Sequence, residues 1–345
     1  MSKPHVIWIT PGFAADEQDS RCIPPLQLCA RHLQASGRLQ LHIIALHYPF
    51  KKQTFHWHDI PVYPCYSSWG RPIIWGRALS HLHRLCSEHS VRALHSFWLS
   101  DAALMGHLFQ KITSLPHWIT LMGQDARPDN RYHRLLRVDR LRTVSLSEYH
   151  DNRLFQTTGH RADRIIPWGL PVDKREWVEQ PRDIDVLGVG NLIQLKDYET
   201  FLRLLVRLRP DRPQLRAVLI GEGPERGRLE EQARAAGLSA HLTFTGSLPR
   251  EEVLAYMRRS KVFLHPSTYE SFGYVFLEAL ASGMRVVSRR VGWANRSDRW
   301  WLGQTEAELA SVLAEALDGF DAPGPAYPCP IEQTASAYLS LYDLS

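Results

Sequence analysis

The chain has 345 residues, 44% of them hydrophobic and 22% charged, with a formal net charge of +5. That composition describes an ordinary globular protein with room for two domains and excludes a disordered chain. No stretch approaches the ~18 consecutive apolar residues of a membrane span, and the mild positive charge favours anionic partners without choosing among them.

The apolar run before Pro11-Gly12 is too short for a signal-peptide core and reads as a first strand. Five cysteines, Cys22, Cys29, Cys65, Cys86 and Cys329, form no C-x-x-C pair. They read as reduced, mostly buried thiols of a cytosolic protein.

Short β-rich runs then alternate with helical patterns. In the first half the expected strands are His5–Thr10, Leu41–Leu46, Arg92–His95, His117–Leu121 and Thr143–Leu146. In the second they are Asp185–Gly190, Arg216–Ile220, His241–Thr245, Val262–His265 and Arg285–Ser288. Helices are expected over Pro25–Ser36, from a Ser100 cap to Lys111, and over Lys196–Leu208, where Phe201, Leu204, Leu205 and Leu208 share a face. Strand-helix alternation implies parallel sheets with right-handed crossovers, one doubly wound domain per half. The expected boundaries are 1–166, a linker over 167–182, 183–325, and a terminal segment 326–345 that is apolar on one side over Thr334–Tyr342.

The most informative stretch runs from His265 to Gly283, HPSTYESFGYVFLEALASG. A strand ends at His265, a loop carries Glu270, Ser271, Phe272 and Gly273, and a helix follows. Ligands of open α/β sheets bind beyond the carboxyl ends of the strands. A helix start there offers unpaired amides and a positive dipole end to an anion, and Gly273 lets the backbone approach it. Glu278 stands among residues of a core, where a carboxylate needs a partner, either protein backbone or a ligand hydroxyl.

This segment resembles the E-x7-E signature of retaining GT-B glycosyltransferases of family four, with Glu270 and Glu278 as the two acids. Supporting stretches fall in the family's order: Ile165–Gly169, Val189–Asp197 with Asn191 and Lys196, Leu219–Pro224 with Gly221, Phe244–Gly246 followed by Glu251-Glu252-Val253, and Arg285–Ser288. In the first half Pro11-Gly12-Phe13, Leu94–Trp98 and Thr120–Asp125 resemble family positions more loosely. Met122 stands where relatives commonly have a His, and Asn191 where they often have an Arg.

The resemblance implies a GT-B fold, two facing Rossmann-like domains with a cleft between them. It implies a metal-independent enzyme without cofactor that moves a sugar, with retention, from a nucleoside-diphosphate sugar to a glycan, lipid-linked or small-molecule acceptor. Lys196 and Glu270 are then the catalytic candidates. Glu278, Gly273, Phe272, Ser271, Asn191, Gly12 and Gly221 are donor-binding candidates, with Glu278 on the ribose and Glu270 on the sugar, and Gln124 and Asp125 are acceptor-side candidates. Preorganised donors aimed at the departing diphosphate would supply the main rate term. Two rival readings are a non-catalytic GT-B nucleotide-sugar-binding protein and a nucleotide-sugar epimerase.

Other signals carry less. Asp183-Ile184-Asp185 opens a strand and reads as solvated rather than metal-binding. The 17 histidines show no paired zinc spacing. Arg127, Arg131, Arg134, Arg137, Arg140 and Arg142 read as a solvated helix face, or as a patch touching an acidic membrane at the inner face. No nucleic-acid partner is expected.

Overall fold

The computed structural model describes residues 3–172, 180–295, 297–321 and 323–344. Two compact units make up the chain, one of residues 1–171 with 329–345 and one of residues 172–328.

The first unit is built on β1 (His5–Gly12), β2 (Gln40–Tyr48), β3 (Phe55–Trp57), β4 (Ile60–Pro64), β5 (Val91–Phe97), β6 (His117–Thr120), β7 (Arg142–Ser145) and β8 (Arg164–Ile165). They lie in the order β3-β4-β2-β1-β5-β6-β7-β8. Val6, Ile7, Trp8 and Ile9 are all fully buried, the continuous apolar run of a central parallel strand covered on both faces.

Three of these strands escape the sequence pattern. β4 reads Ile-Pro-Val-Tyr-Pro, and its prolines argue against a sheet interior; it is tolerated because only the three-residue β3 lies outside it. β3 and β4 also break the all-parallel expectation, since they form an antiparallel hairpin. His58 and Asp59 at its tip have φ of 44° and 61°, as a two-residue hairpin turn requires. β8 is a two-residue edge.

The arginine-rich stretch is not the single solvated helix expected. It contains a five-residue helix, Tyr132–Leu136, and a 3-10 turn, Val138–Arg140. Arg127 pairs with Asp129 and Arg137 with Asp139, while Arg142 lies over the Trp118 ring.

Residues 167–170 of the expected linker are packed into the first unit. Trp168 is buried, the Gly169 N–H donates to Thr334 Oγ1 (2.8 Å), and Leu170 bridges to Pro330. Within that linker residues 173–179 lie outside the described residues. The helix Ile331–Leu341 belongs to the same unit, where Tyr342 Oη accepts from Trp8 Nε1 (3.0 Å) and bonds His95 Nδ1 (2.7 Å).

The second unit carries β9 (Ile184–Val189), β10 (Ala217–Ile220), β11 (Leu242–Gly246), β12 (Ser260–His265), β13 (Arg285–Ser288) and β14 (Trp300–Leu302). Their order is β11-β10-β9-β12-β13-β14, and every pairing is parallel. The helix Tyr198–Leu208 seals one face with Phe201, Leu204, Leu205 and Leu208 against Val186, Leu219 and Val262. The chain winds outward from β9 through β10 and β11, then returns to β12 on the other side. The strand order therefore reverses between β9 and β12, the position where open α/β sheets hold ligands. Asp183 is exposed, as expected of a solvated D-x-D, and pairs at the surface with Arg259, while Asp185 is partly covered and pairs with Lys261. Among the described residues no helix is long and apolar enough to cross a membrane.

Candidate active site at the strand ends of the second unit

The loops leaving β9 and β12 meet at the reversal point. After β9 the chain turns through Gly190, Asn191 and Leu192, then a 3-10 turn Gln194–Lys196. The expected helix from Lys196 begins two residues later, because Asp197 takes a left-handed φ of 51° and caps it through the Thr200 N–H. After β12 the loop is strapped to this turn: the Thr268 N–H and the Ser267 hydroxyl both donate to the Leu195 carbonyl (3.0 and 3.1 Å). Arg289, at the end of β13, donates to Asp197 Oδ2 (2.8 Å) and to the Pro266 carbonyl, closing the clamp from a third strand end.

Inside this clamp Lys196 Nζ donates to Glu270 Oε1, and His265 Nε2 bonds the same oxygen at 2.7 Å. The two side chains of the pair are only 18% and 13% exposed. Burial alone would raise the Glu270 carboxyl, but the Lys196 ammonium and the His265 contact outweigh it and hold it at about 2. His265 is itself pushed down from the usual imidazole range by burial, with Glu270 acting against that shift. Beside them the buried Tyr198 hydroxyl and His265 Nδ1 have no hydrogen-bond partner among the described residues. Unsatisfied polar atoms of this kind cost about 1–3 kcal/mol each.

The Lys196 ammonium, close to a helix start, thus has its counter-charge within the protein, on Glu270.

Glu278 sits in the helix Tyr274–Ala281 and is buried. Its partner is neither backbone nor an open cavity: Arg250 Nε donates to Oε1 at 2.8 Å. Burial raises the Glu278 carboxyl, Arg250 opposing. The structure thus joins Lys196 with Glu270, and gives Glu278 a separate cation.

The glycines have reasons internal to the protein. Gly273 caps that helix with a φ of 80°, and a Cβ there would strike the Phe276 ring. Gly221, with a φ of 149°, has the Gly190 carbonyl where a side chain would stand. Phe272 is buried and its carbonyl accepts from the Trp293 N–H (2.8 Å), while Ser271 is partly exposed beside it. Asn191 is exposed at the turn.

The first-unit candidates fare differently. Gly12 ends β1, pairs with Tyr48 and has no positive φ, so space does not demand a glycine there. Gln124 is exposed and accepts from Arg127. Asp125 is not an exposed acceptor contact: buried, it takes the Leu99 and Met122 N–H groups on Oδ2 (2.7 and 2.8 Å), and burial pushes its carboxyl up to about 7 against those bonds. Its work is to tie the loops after β5 and β6 together.

Sequence reasoning missed Arg250, His265, Asp197 with Arg289, and, in the first unit, Asp19. Only His265 had a readable signal, as the last residue of a strand immediately before the informative loop. Asp19 gathers the Ala15, Arg21 and Cys22 N–H groups and the Tyr48 hydroxyl, shaping the loop after Gly12.

Residues 171–296 match the family model of glycosyl transferases group 1. Over that segment, about a third of its length, the chain is similar to this family. Among curated relatives, a 2-deoxystreptamine N-acetyl-D-glucosaminyltransferase of Niallia circulans is 32% identical over 107 residues, 31% of this chain and 28% of that protein. One of the same description from Streptomyces fradiae is 28% identical over 223 residues, 55% of this chain and 52% of that one. The chain therefore spans between about a quarter and half of the length of these group 1 relatives. In fold it is similar to HepE of Anabaena, solved with UDP and glucose, at a TM-score of 0.70 and 17% identity, covering 99% of this chain and 96% of that one. Sucrose-phosphate synthase of Thermosynechococcus elongatus gives 0.73 at 16%, covering 99% and 95%. The fold is GT-B, each unit a Rossmann-like domain.

The two ion pairs of this site are each open to test. Arg250→Ala leaves a buried, uncompensated carboxylate and should cost about 3–5 kcal/mol in denaturant unfolding. The double variant Arg250→Ala/Glu278→Gln should recover much of it; a single-variant cost below about 1 kcal/mol would discard the pairing. Glu270 has a depressed folded pKa, so its contribution is complete above the ordinary carboxylate value of 4.5 and is lost as pH falls through about 2. Stability of Lys196→Met, followed by thermal melts across the acid range, should fall less over that window than wild type. Superimposable pH profiles would contradict the assignment.

Proposed function

We propose that this chain is a metal-independent, retaining glycosyltransferase that moves a sugar from a nucleoside-diphosphate sugar to a glycan, lipid-linked or small-molecule acceptor. The observation that carries the reading is the meeting of Lys196 and Glu270 at the strand reversal, next to the helix start at Gly273. HepE, a fold neighbour, has been solved with UDP-glucose, which supports a nucleotide-sugar donor.

The chemistry follows from the leaving group. As the bond from the anomeric carbon to the diphosphate breaks, negative charge grows on the phosphate oxygens. A cation and the positive end of a helix fixed beforehand stabilise that charge with little reorganisation. Lys196 turns part of its charge from Glu270 to the diphosphate, and Glu270, still held by His265, stays ionised to accept sugar hydroxyls. Glu278 accepts the ribose hydroxyls, its own charge balanced by Arg250. Ser271, Phe272, Gly273, Asn191 and Gly221 complete the donor surface. Gly12 and Gln124 remain first-unit candidates; Asp125 is withdrawn from the acceptor side, since its carboxylate holds two loops together.

A panel of UDP-, GDP- and ADP-sugars should contain one that raises the melting temperature. With acceptor, that donor should release nucleoside diphosphate and give a product of unchanged anomeric configuration by NMR. Lys196→Ala should lower kcat by about two to three orders of magnitude. Binding with no release of diphosphate would identify a non-catalytic binder, and a donor inverted at C2 an epimerase. A near-normal rate in Lys196→Ala would remove that residue from the mechanism.

Peripheral contact with an acidic membrane belongs to the same proposal. Its support is the exposed set Arg134, Arg137 and Arg140 around Leu135, which is 59% exposed. Vesicles containing acidic lipid should retain the protein at low salt and release it as salt rises, while neutral vesicles should not. Equal retention on both, or on neither, would end the idea.

A further inference from the structure

At the opposite end of the first sheet from the loops after β1 and β5, three histidines far apart in sequence come together. β2, β1 and β5 are adjacent strands. His5 opens β1 and is in register with Gln40 of β2 and Val91 of β5. His42 lies two residues beyond Gln40, and His89 two residues before Val91. Side chains two apart share a face of a sheet, so the register places His5 and His42 on one side, and His89, the C-cap of the helix Arg71–Glu88 just before β5, packs against them there.

They touch. His5 Nδ1 and His42 Nε2 are 2.8 Å apart. The His89 ring stacks on His5 with centroids 4.3 Å apart and lies 5.2 Å from His42. Among the described residues this is the group of His, Cys and acidic side chains whose ligand atoms gather within 4.8 Å of one another. His42 is buried, while His5 and His89 are partly exposed.

We propose that His5, His42 and His89 form a binding site for a late first-row divalent cation of the zinc type, separate from the transfer chemistry. Three imidazole nitrogens around one such ion, each at ~2.0–2.1 Å, lie about 3.4 Å apart in a tetrahedron. The separations found, 2.8 Å for the His5–His42 pair and none above 4.8 Å, bracket that value. The ion enters the ring planes when His5 and His89, both at strand ends, turn about their side-chain bonds. Water takes the open fourth position on the exposed side.

The donor set suits the ion. Imidazole is the ligand of zinc, nickel and copper, whereas magnesium and calcium prefer oxygen. His42 is already oriented, since its Nδ1 bonds the Tyr63 hydroxyl at 3.2 Å. With the Nδ1 proton donated to Tyr63, Nε2 presents its lone pair, the outer hydrogen bond that metal-binding histidines commonly make. No net proton is released: His5 moves its proton from Nδ1 to Nε2 as Nδ1 takes the ion. A bound ion would pin β1, β2 and the turn before β5 together, and so stabilise the folded unit.

Cobalt(II) titrated into chelator-treated full-length protein tests this directly, because cobalt in a nitrogen-rich tetrahedral site shows visible d–d bands. The expected result is saturation at one equivalent, displacement by zinc, and a melting temperature raised by zinc. His5→Gln and His89→Gln, both at partly exposed positions, should abolish the bands. Tyr63→Phe should weaken affinity by about 10–100-fold through loss of the outer hydrogen bond. Absence of one-equivalent cobalt binding in the wild-type protein, or bands and affinity unchanged in both histidine variants, would overturn the proposal.

Discussion

Most of the second unit's site depends on one buried ion pair. A carboxylate removed from water is costly unless a cation and further hydrogen bonds replace the solvent it lost, and a lone ammonium in the same place is no better off. Glu270 and Lys196 each solve the other's difficulty, but only if the loops after β9 and β12 hold them in contact. The backbone bonds from the Thr268 N–H and the Ser267 hydroxyl to the Leu195 carbonyl do this, and Arg289 braces both loops from β13. The pair thus marks where three strand ends are locked into one surface.

The two acids of the signature live in opposed surroundings. Two cationic or hydrogen-bonding neighbours hold Glu270 at about 2 against the effect of burial. Glu278 has Arg250 alone, and burial wins, so its carboxyl is raised. One acid is therefore a firm anion that anchors a lysine. The other is a reluctant anion in an apolar helix. Environments that separate like groups in this way are how one fold assigns them different tasks.

In the first unit carboxylates serve the scaffold instead. Asp19 shapes the loop after β1, Asp125 ties the loops after β5 and β6, and His47 holds Asp101 at the start of the helix Asp101–Thr113 (2.8 Å). The helix Ile331–Leu341 covers this unit with Tyr338 and Tyr342, whose hydroxyls reach the buried Thr120, Trp8 and His95. A residue such as Asp125 can therefore stand in a family-like motif while its carboxylate is committed to backbone N–H groups.

The sequence by itself determined the alternation of strands and helices, because apolar periodicity and turn residues are local properties of the chain. It also determined the segment from His265 to Gly283, whose spacing of acids, glycines and apolar residues is carried within nineteen consecutive positions. Tertiary structure alone decided the partners. Arg250 reaches Glu278 across 28 residues and Lys196 reaches Glu270 across 74, and the contact in each case is set by which strands lie side by side. The short β3, β4 and β8 and the place of residues 167–170 were hidden for a related reason: prolines and short runs read as loop, and only a neighbouring strand or helix gives their backbone groups partners. The three histidines make the point most simply, since positions 5, 42 and 89 have no spacing to read until parallel pairing brings them together.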